Sequence, residues 1–133
     1  MNTIKTKPFL ASILLFTLTF HGLSAQDISN YKNRTPQERA QLQTEWMTGK
    51  LNLSPTQTSQ VQSINLMYIQ KNDLVLKSDA GKLSKFRQLK TIQKDKDAAL
   101  KKELSADQYT KYQSLKEEMK TEMKAEMKKR KSE

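Results

Sequence analysis

Cysteine is absent from the 133-residue chain, histidine occurs once, and glycine and proline occur three times each. Each shortage closes off a kind of chemistry. Without Cys there is no disulfide, no thiolate nucleophile and no Cys-based zinc site. The one imidazole, His21, falls in a stretch that reads as a cleaved leader, which leaves no Ser–His pair for the working chain. Nothing resembles the Gly-rich loop that cradles a phosphate. Carboxylate pairs survive at Asp95/Asp97 and Glu117/Glu118. Both lie among lysines, in polar surroundings that do not raise a carboxyl pKa for acid–base work. The expectation is a protein that is not an enzyme, with no catalytic residue, no metal site and no cofactor.

What is present begins with the leader. Lys5 and Lys7 precede an apolar run of twelve residues, Phe9–Phe20, and Leu23–Ala25 ends on a small side chain. That is the layout of a secretory signal peptide, with cleavage between Ala25 and Gln26; a membrane span needs roughly 20 apolar residues. The expected organisation is a signal peptide over 1–25, a disordered segment over 26–34 and a helical domain over 35–130. Without Lys5 and Lys7 the remaining chain carries 22 basic against 14 acidic residues, a net charge of +8.

Two short phrases, LNLSPTQ (51–57) and KELSADQ (102–108), repeat the order L-S-x-x-Q at an offset of 51 residues. Each is a helix-start signal. Ser54 is an N-cap, Pro55 occupies N1 and Gln57 closes a capping box from N3; Ser105 and Gln108 do the same, with Asp107 suited to the positive helix end. Leu104 is placed to staple onto Tyr109. A third start has Thr35 as cap, Pro36 at N1 and Glu38 at N3. Stops are expected at Gly49 and in the turn Ser78–Lys82, where Gly81 can take a positive φ. The resulting helices cover about 35–48, 55–77, 83–103 and 106–130, and no period-two alternation predicts a strand.

The second helix carries Val61, Ile64, Tyr68 and Val75 in one stripe, widened by Ile69 and Leu76 on one side and by Met67 and Leu74 on the other. That arc is wider than one neighbouring helix covers, and a second subunit would account for it. The third helix gathers Phe86, Leu89 and Leu100, with Leu104 just beyond, on one side, and Arg87, Lys90, Lys94 and Lys101 on the other. From Lys71 to Lys102 there are ten basic residues against four acidic. The fourth helix ends in E-M-K-x repeats, with Met at 119, 123 and 127. Trp46, four residues after Leu42, is expected to anchor the first helix to the hairpin or a partner subunit.

Duplicated L-[ST]-x-x-Q motifs about 50 residues apart, each opening a long helix in a small, basic, exported chain, resemble the Spy/CpxP family and its LTxxQ motif. Leu53, Ser54 and Gln57 match the first copy; Leu104, Ser105 and Gln108 match the second. Both copies carry Ser where the family usually has Thr, a change that keeps the capping hydroxyl. The resemblance covers about residues 35–115. It implies an all-α fold with one short and three long helices in an extended hairpin-like arrangement, paired as a cradle-shaped antiparallel homodimer in the periplasm. It also implies either an ATP-independent chaperone for unfolded or partly folded proteins, or a regulator that restrains an envelope-stress sensor kinase. Some members bind metals through histidines, and the chain beyond the leader has none. The motif residues are structural in the family, so no active site transfers.

On this reading the client-binding residues are Arg87, Lys90, Lys94 and Lys101 for charge, with Leu83 and Ala98 between them. Nucleic acid is not an expected partner, because the basic helices lack interleaved aromatics for stacking on bases. Contact with a membrane is at most peripheral, through Lys128–Lys131 on anionic headgroups.

Overall fold

The computed structural model of the chain describes residues 30–132, without the side chains at 123, 126, 127 and 130. The leader expected over 1–25 lies outside the described residues, as do positions 26–29. Residues 30–32 are helical, and Arg34 N–H donates to Tyr31 O at 3.2 Å. From Thr35 onward the chain forms its own compact unit. Its helices are α1 (Pro36–Leu51), α2 (Pro55–Lys77), α3 (Lys82–Glu103) and α4 (Ala106–Ser132). No strand occurs among the described residues. The chain is all-α, with one shorter helix of 16 residues and three of 23, 22 and 27.

The capping boxes start three of these helices. Thr35 accepts from Glu38 N–H at 3.2 Å while its own N–H donates to Glu38 Oε2 at 2.8 Å. Ser54 and Gln57 exchange the same pair of bonds at 3.1 and 3.0 Å, and Ser105 and Gln108 at 3.2 and 2.9 Å. Each box satisfies donors that a helix start would otherwise leave unpaired, a contribution of about 1 kcal/mol.

One expected stop and one expected backbone conformation are corrected, while the turn after α2 falls at Ser78–Gly81 as expected. Gly49 does not end α1, which runs on to Leu51; Asn52 then takes the left-handed conformation (φ 52°, ψ 53°) and returns its N–H to Thr48 O. The extra turn buries Leu51, and the bend at Asn52 turns Leu53 into the same core, while Asn is among the few residues that tolerate this conformation. Gly81 does not take a positive φ either. It is the N-cap of α3 at φ −63°. The end of α2 is closed instead by Ser78, whose N–H and Oγ both donate to Val75 O.

α1 and α2 run antiparallel. Their register is set by Arg39 forking onto both oxygens of Asp73, by Asn65 Nδ2 donating to Thr44 Oγ1 at 2.9 Å, and by Thr48 and Thr58 sharing a hydroxyl bond at 3.2 Å. α3 returns along α2, with Lys85 Nζ on Leu76 O at 2.9 Å near the turn. Lys96 Nζ reaches across to Gln43 Oε1 of α1, also at 2.9 Å. α4 is fastened to α3 through Asp97, which accepts from Tyr112 Oη at 2.9 Å and pairs with Lys116.

The core gathers at one end of the unit. Met47, Leu51, Leu53, Val61, Leu100, Leu104 and Tyr112 form a single buried cluster, edged by Trp46, Ile64, Tyr109 and Leu115. Trp46 therefore packs as an anchor, and Tyr109 packs against the cluster that contains Leu104. On α2, Val61, Tyr68, Ile69 and Val75 of the expected stripe are buried, whereas Met67, Leu74 and Leu76 are exposed. Phe86 departs from the expected apolar side of α3 in the same way and is 64% exposed. The cluster that buries Leu100 and Leu104 draws on α1 and the first turns of α4, and it does not extend to the α2–α3 turn.

Candidate functional site

The two motif copies meet. Gln57 Nε2 donates to Gln108 Oε1 at 2.7 Å, and Gln108 Nε2 donates back to Gln57 Oε1 at 3.1 Å. The second hydrogen on each amide is also used. Gln57 donates to Glu103 O at 3.0 Å, the last residue of α3, and Gln108 donates to Leu51 O at 3.2 Å, the last residue of α1. Each glutamine thus starts its own helix and finishes the helix that leads into the other motif. The flanking Leu53 and Leu104 are buried in the core cluster beside this bracket. All six motif residues are brought together at one point, and their role there is architectural.

The six residues assigned to client binding sit elsewhere, along α3. Positions 83, 87, 90, 94, 98 and 101 follow one another at steps of four, three, four, four and three, which places them on one helix face. Leu83, Arg87, Lys90, Lys94, Ala98 and Lys101 are all exposed. Asp97 falls within this row, three residues after Lys94 and four before Lys101, and it is turned toward Tyr112 and Lys116 of α4. Lys101 Nζ lies 5.7 Å from the Tyr109 ring centroid and so marks the end of the row nearest the bracket.

At its other end the row runs into apolar surface. Leu83 and Phe86 on α3, and Leu74 and Leu76 on α2, flank the α2–α3 turn and are 56–73% exposed. Placing Phe86, Leu74 and Leu76 in helical stripes hid this in the sequence, because a period tells which face a residue shares but not whether a neighbour covers it. Lys71, Lys77, Lys82 and Lys85 lie in the same part of the chain. On α3, Leu83 and Phe86 thus stand exposed at the start of the cationic row. Among the described residues no three His, Cys, Asp or Glu side chains group as metal ligands.

Two ionisable groups near the α3–α4 junction are displaced from their ordinary behaviour. Burial lowers Lys96 from 10.5 to about 8; the Asp97 charge opposes the shift and the Lys116 charge adds to it. Burial also raises the Tyr112 phenol well above its usual 10.0, reinforced by the Asp97 charge and hydrogen bond, with Gln93 acting the other way. These pairings were not legible in the sequence.

Two outcomes follow for stability. Gln57→Ala and Gln108→Ala each strip several bonds and cost about 1–3 kcal/mol in urea unfolding. The double variant costs less than the sum of the two, by about 1 kcal/mol or more, because either single change already breaks the mutual pair. Strict additivity would show that the amides act separately. In pH-dependent unfolding, Lys96 makes the unfolded chain hold more protons than the folded chain between about 8 and 10.5, so its contribution raises stability with pH across that window. Above pH 10.0 the unfolded Tyr112 loses its proton while the folded one keeps it, and that contribution falls. Lys96→Met abolishes the rise; an unchanged profile would place Lys96 in water.

No curated protein and no solved structure matches the chain. One family model, described as Domain of unknown function (DUF4890), matches residues 25–112. That is about two thirds of the sequence and takes in α1 to α3, both motif copies and the bracket they form, so the chain belongs to the DUF4890 family.

Proposed function

We propose that this protein is an ATP-independent, holdase-type chaperone that works in the periplasm. The observation that carries the reading is the exposed face of α3, where Leu83, with Phe86 beside it, is followed by Arg87, Lys90, Lys94 and Lys101. Unfolded chains present the complement, apolar side chains and carboxylates that a native fold would bury or pair. The duplicated L-S-x-x-Q motif and its resemblance to the Spy/CpxP family support the reading, as does the leader-like composition of residues 1–25.

Two forces of different range divide the work. The cationic row attracts a client over roughly a Debye length, about 8 Å at physiological salt. Leu83, Phe86 and the methylene stems of the lysines then hold apolar segments at short range. The face is exposed, so the grip is shallow, and a loosely held client retains the freedom to fold. The same charge would attract an acidic sensor domain, and that regulatory role is the competing outcome of the test.

The experiment is light scattering from an unfolding client protein without nucleotide. Suppression is expected at equimolar to several-fold excess, weakening as salt rises and screens the row. Arg87→Gln, Lys90→Gln, Lys94→Gln and Lys101→Gln together slow capture several-fold, while Leu83→Ser with Phe86→Ser releases clients faster; neither set alters the melting temperature much, since the side chains are exposed. Full aggregation at several-fold excess of the protein overturns the reading. A deletion strain that induces envelope-stress signalling without aggregating proteins supports the regulator instead.

A further inference from the structure

The most exposed large apolar side chains among the described residues are Leu74, Leu76, Leu83 and Phe86. They are not scattered. Leu74 lies three residues before the end of α2, and Phe86 four after the start of α3. Measured along the helix axes, all four stand within about 6 Å of the turn-side helix ends. Each keeps in water apolar area that burial would stabilise.

Their directions limit what covers them. Leu74 and Leu76 are two positions apart, about 200° around the helix, and Val75 between them is buried. They therefore point to different sides of α2. A protein lying along the hairpin covers one side and leaves the other wet. A partner that takes in the end of the hairpin from all sides covers both.

The charges around this end favour an anionic partner. Between positions 71 and 90 stand Lys71, Lys77, Lys82, Lys85, Arg87 and Lys90, against Asp73 and Asp79. Asp73 is already paired with Arg39. Most of the cations are lysines, compact charges on flexible stems with no fork geometry to match. Lys77 directly follows Leu76 and Lys82 directly precedes Leu83, so each stem can lie along apolar surface and set its ammonium at the edge. An apolar end flanked by such cations fits the boundary between acyl chains and anionic headgroups, where apolar groups settle about 5–10 Å deep. The 6 Å reach of the tip agrees with that depth.

We propose that the α2–α3 turn docks end-on on an anionic phospholipid surface, with Leu74, Leu76, Leu83 and Phe86 at the acyl boundary and the neighbouring lysines on headgroup phosphates. This contact is separate from the tail at Lys128–Lys131 and does not depend on the holdase reading. No described helix is long and apolar enough to cross a membrane, so the contact is interfacial. Asp79, exposed in the turn itself, sets its limit, because a carboxylate is costly in hydrocarbon. Lys94 and Lys101 lie roughly 18 and 28 Å along α3 from its start. They stay in water beyond the headgroups, where they remain open to other partners.

Flotation with lipid vesicles tests this. The chain is taken from Gln26 onward, because the apolar run Phe9–Phe20 would bind lipid by itself and the unit from Thr35 is compact on its own. Binding is expected to vesicles of equal parts phosphatidylglycerol and phosphatidylcholine, weakening with salt, and little to phosphatidylcholine alone. Leu74→Ser with Leu76→Ser weakens it about tenfold. Lys77→Gln with Lys82→Gln does the same or more, at roughly fivefold per lysine. Asp79→Asn strengthens it several-fold. These side chains are exposed, so helicity by circular dichroism is unchanged. Lys128→Gln, Lys129→Gln and Lys131→Gln together leave most of the binding in place. The chain has no cysteine, so Ala80→Cys or Ser59→Cys carries a single polarity-sensitive dye. Its emission shifts to the blue on anionic vesicles from position 80 and not from position 59.

No flotation at millimolar phosphatidylglycerol overturns the proposal. So does binding that ignores both tip variants, or that follows the substitutions at 128, 129 and 131. If Leu74→Ser with Leu76→Ser impairs client suppression while no vesicle binds, the tip belongs to the client surface and the proposal also fails. Vesicle binding that responds as expected in a protein that leaves clients to aggregate refutes the holdase alone.

Discussion

A pair of side-chain amides, Gln57 against Gln108, ties together the places where four helices begin or end. A glutamine amide has two N–H donors and an oxygen with room for two hydrogen bonds. Here all of that capacity is used on both partners: each oxygen accepts from its own N-cap backbone and from the other amide, and each nitrogen donates to the other amide and to a terminal helix carbonyl. Helix ends leave orphan donors at one terminus and orphan acceptors at the other. Two copies of one five-residue phrase satisfy some of each kind, crosswise, at a single point. Leu53 and Leu104, one residue before each cap, bury themselves beside the amides and keep water from competing for the bonds.

The rest of the architecture follows from having the bracket at one end. Apolar residues from all four helices converge there, and the core forms around Leu100 and Val61, both fully buried. Away from it the layer is thinner: Ala40 of α1 and Tyr68, Ile69 and Val75 of α2 are buried, together with Asn65 and Thr44, which share a hydrogen bond, and Arg39 clasps Asp73. Toward the α2–α3 turn even these give out, and leucines and a phenylalanine stand in solvent. A chain with so few apolar residues can build one dense end or a thin layer throughout, and this one builds the dense end. The uncovered end is then available for binding.

Much of this was legible from local rules. The three capping boxes, the all-α class and the common face of the α3 lysines depend only on spacing within a helix, and they stand as the spacing predicts. The stop assigned to Gly49 fails for a tertiary reason, because burying Leu51 and Leu53 extends α1 to a left-handed Asn52; the turn after α2 falls where expected, but Ser78 closes it without a left-handed Gly81. The exposed Phe86, Leu74 and Leu76 were beyond reach, because helical periodicity cannot report where a neighbouring helix is missing. The meeting of Gln57 with Gln108 was also out of reach as a contact. The repeat announced two equivalent helix starts; only the antiparallel return of α3 along α2 puts them within 3 Å of each other. Asp97 likewise looked like half of a carboxylate pair and proves to be the acceptor that fastens α4.

The bracket can be observed directly by NMR of the glutamine side-chain amides. The account predicts that the Nε2 protons of Gln57 and Gln108 exchange slowly with solvent, resonate apart from the other glutamines, and show couplings across the hydrogen bonds that join the two side chains. Rapidly exchanging amide protons at the shifts of free glutamine, with no coupling between the two residues, would contradict it.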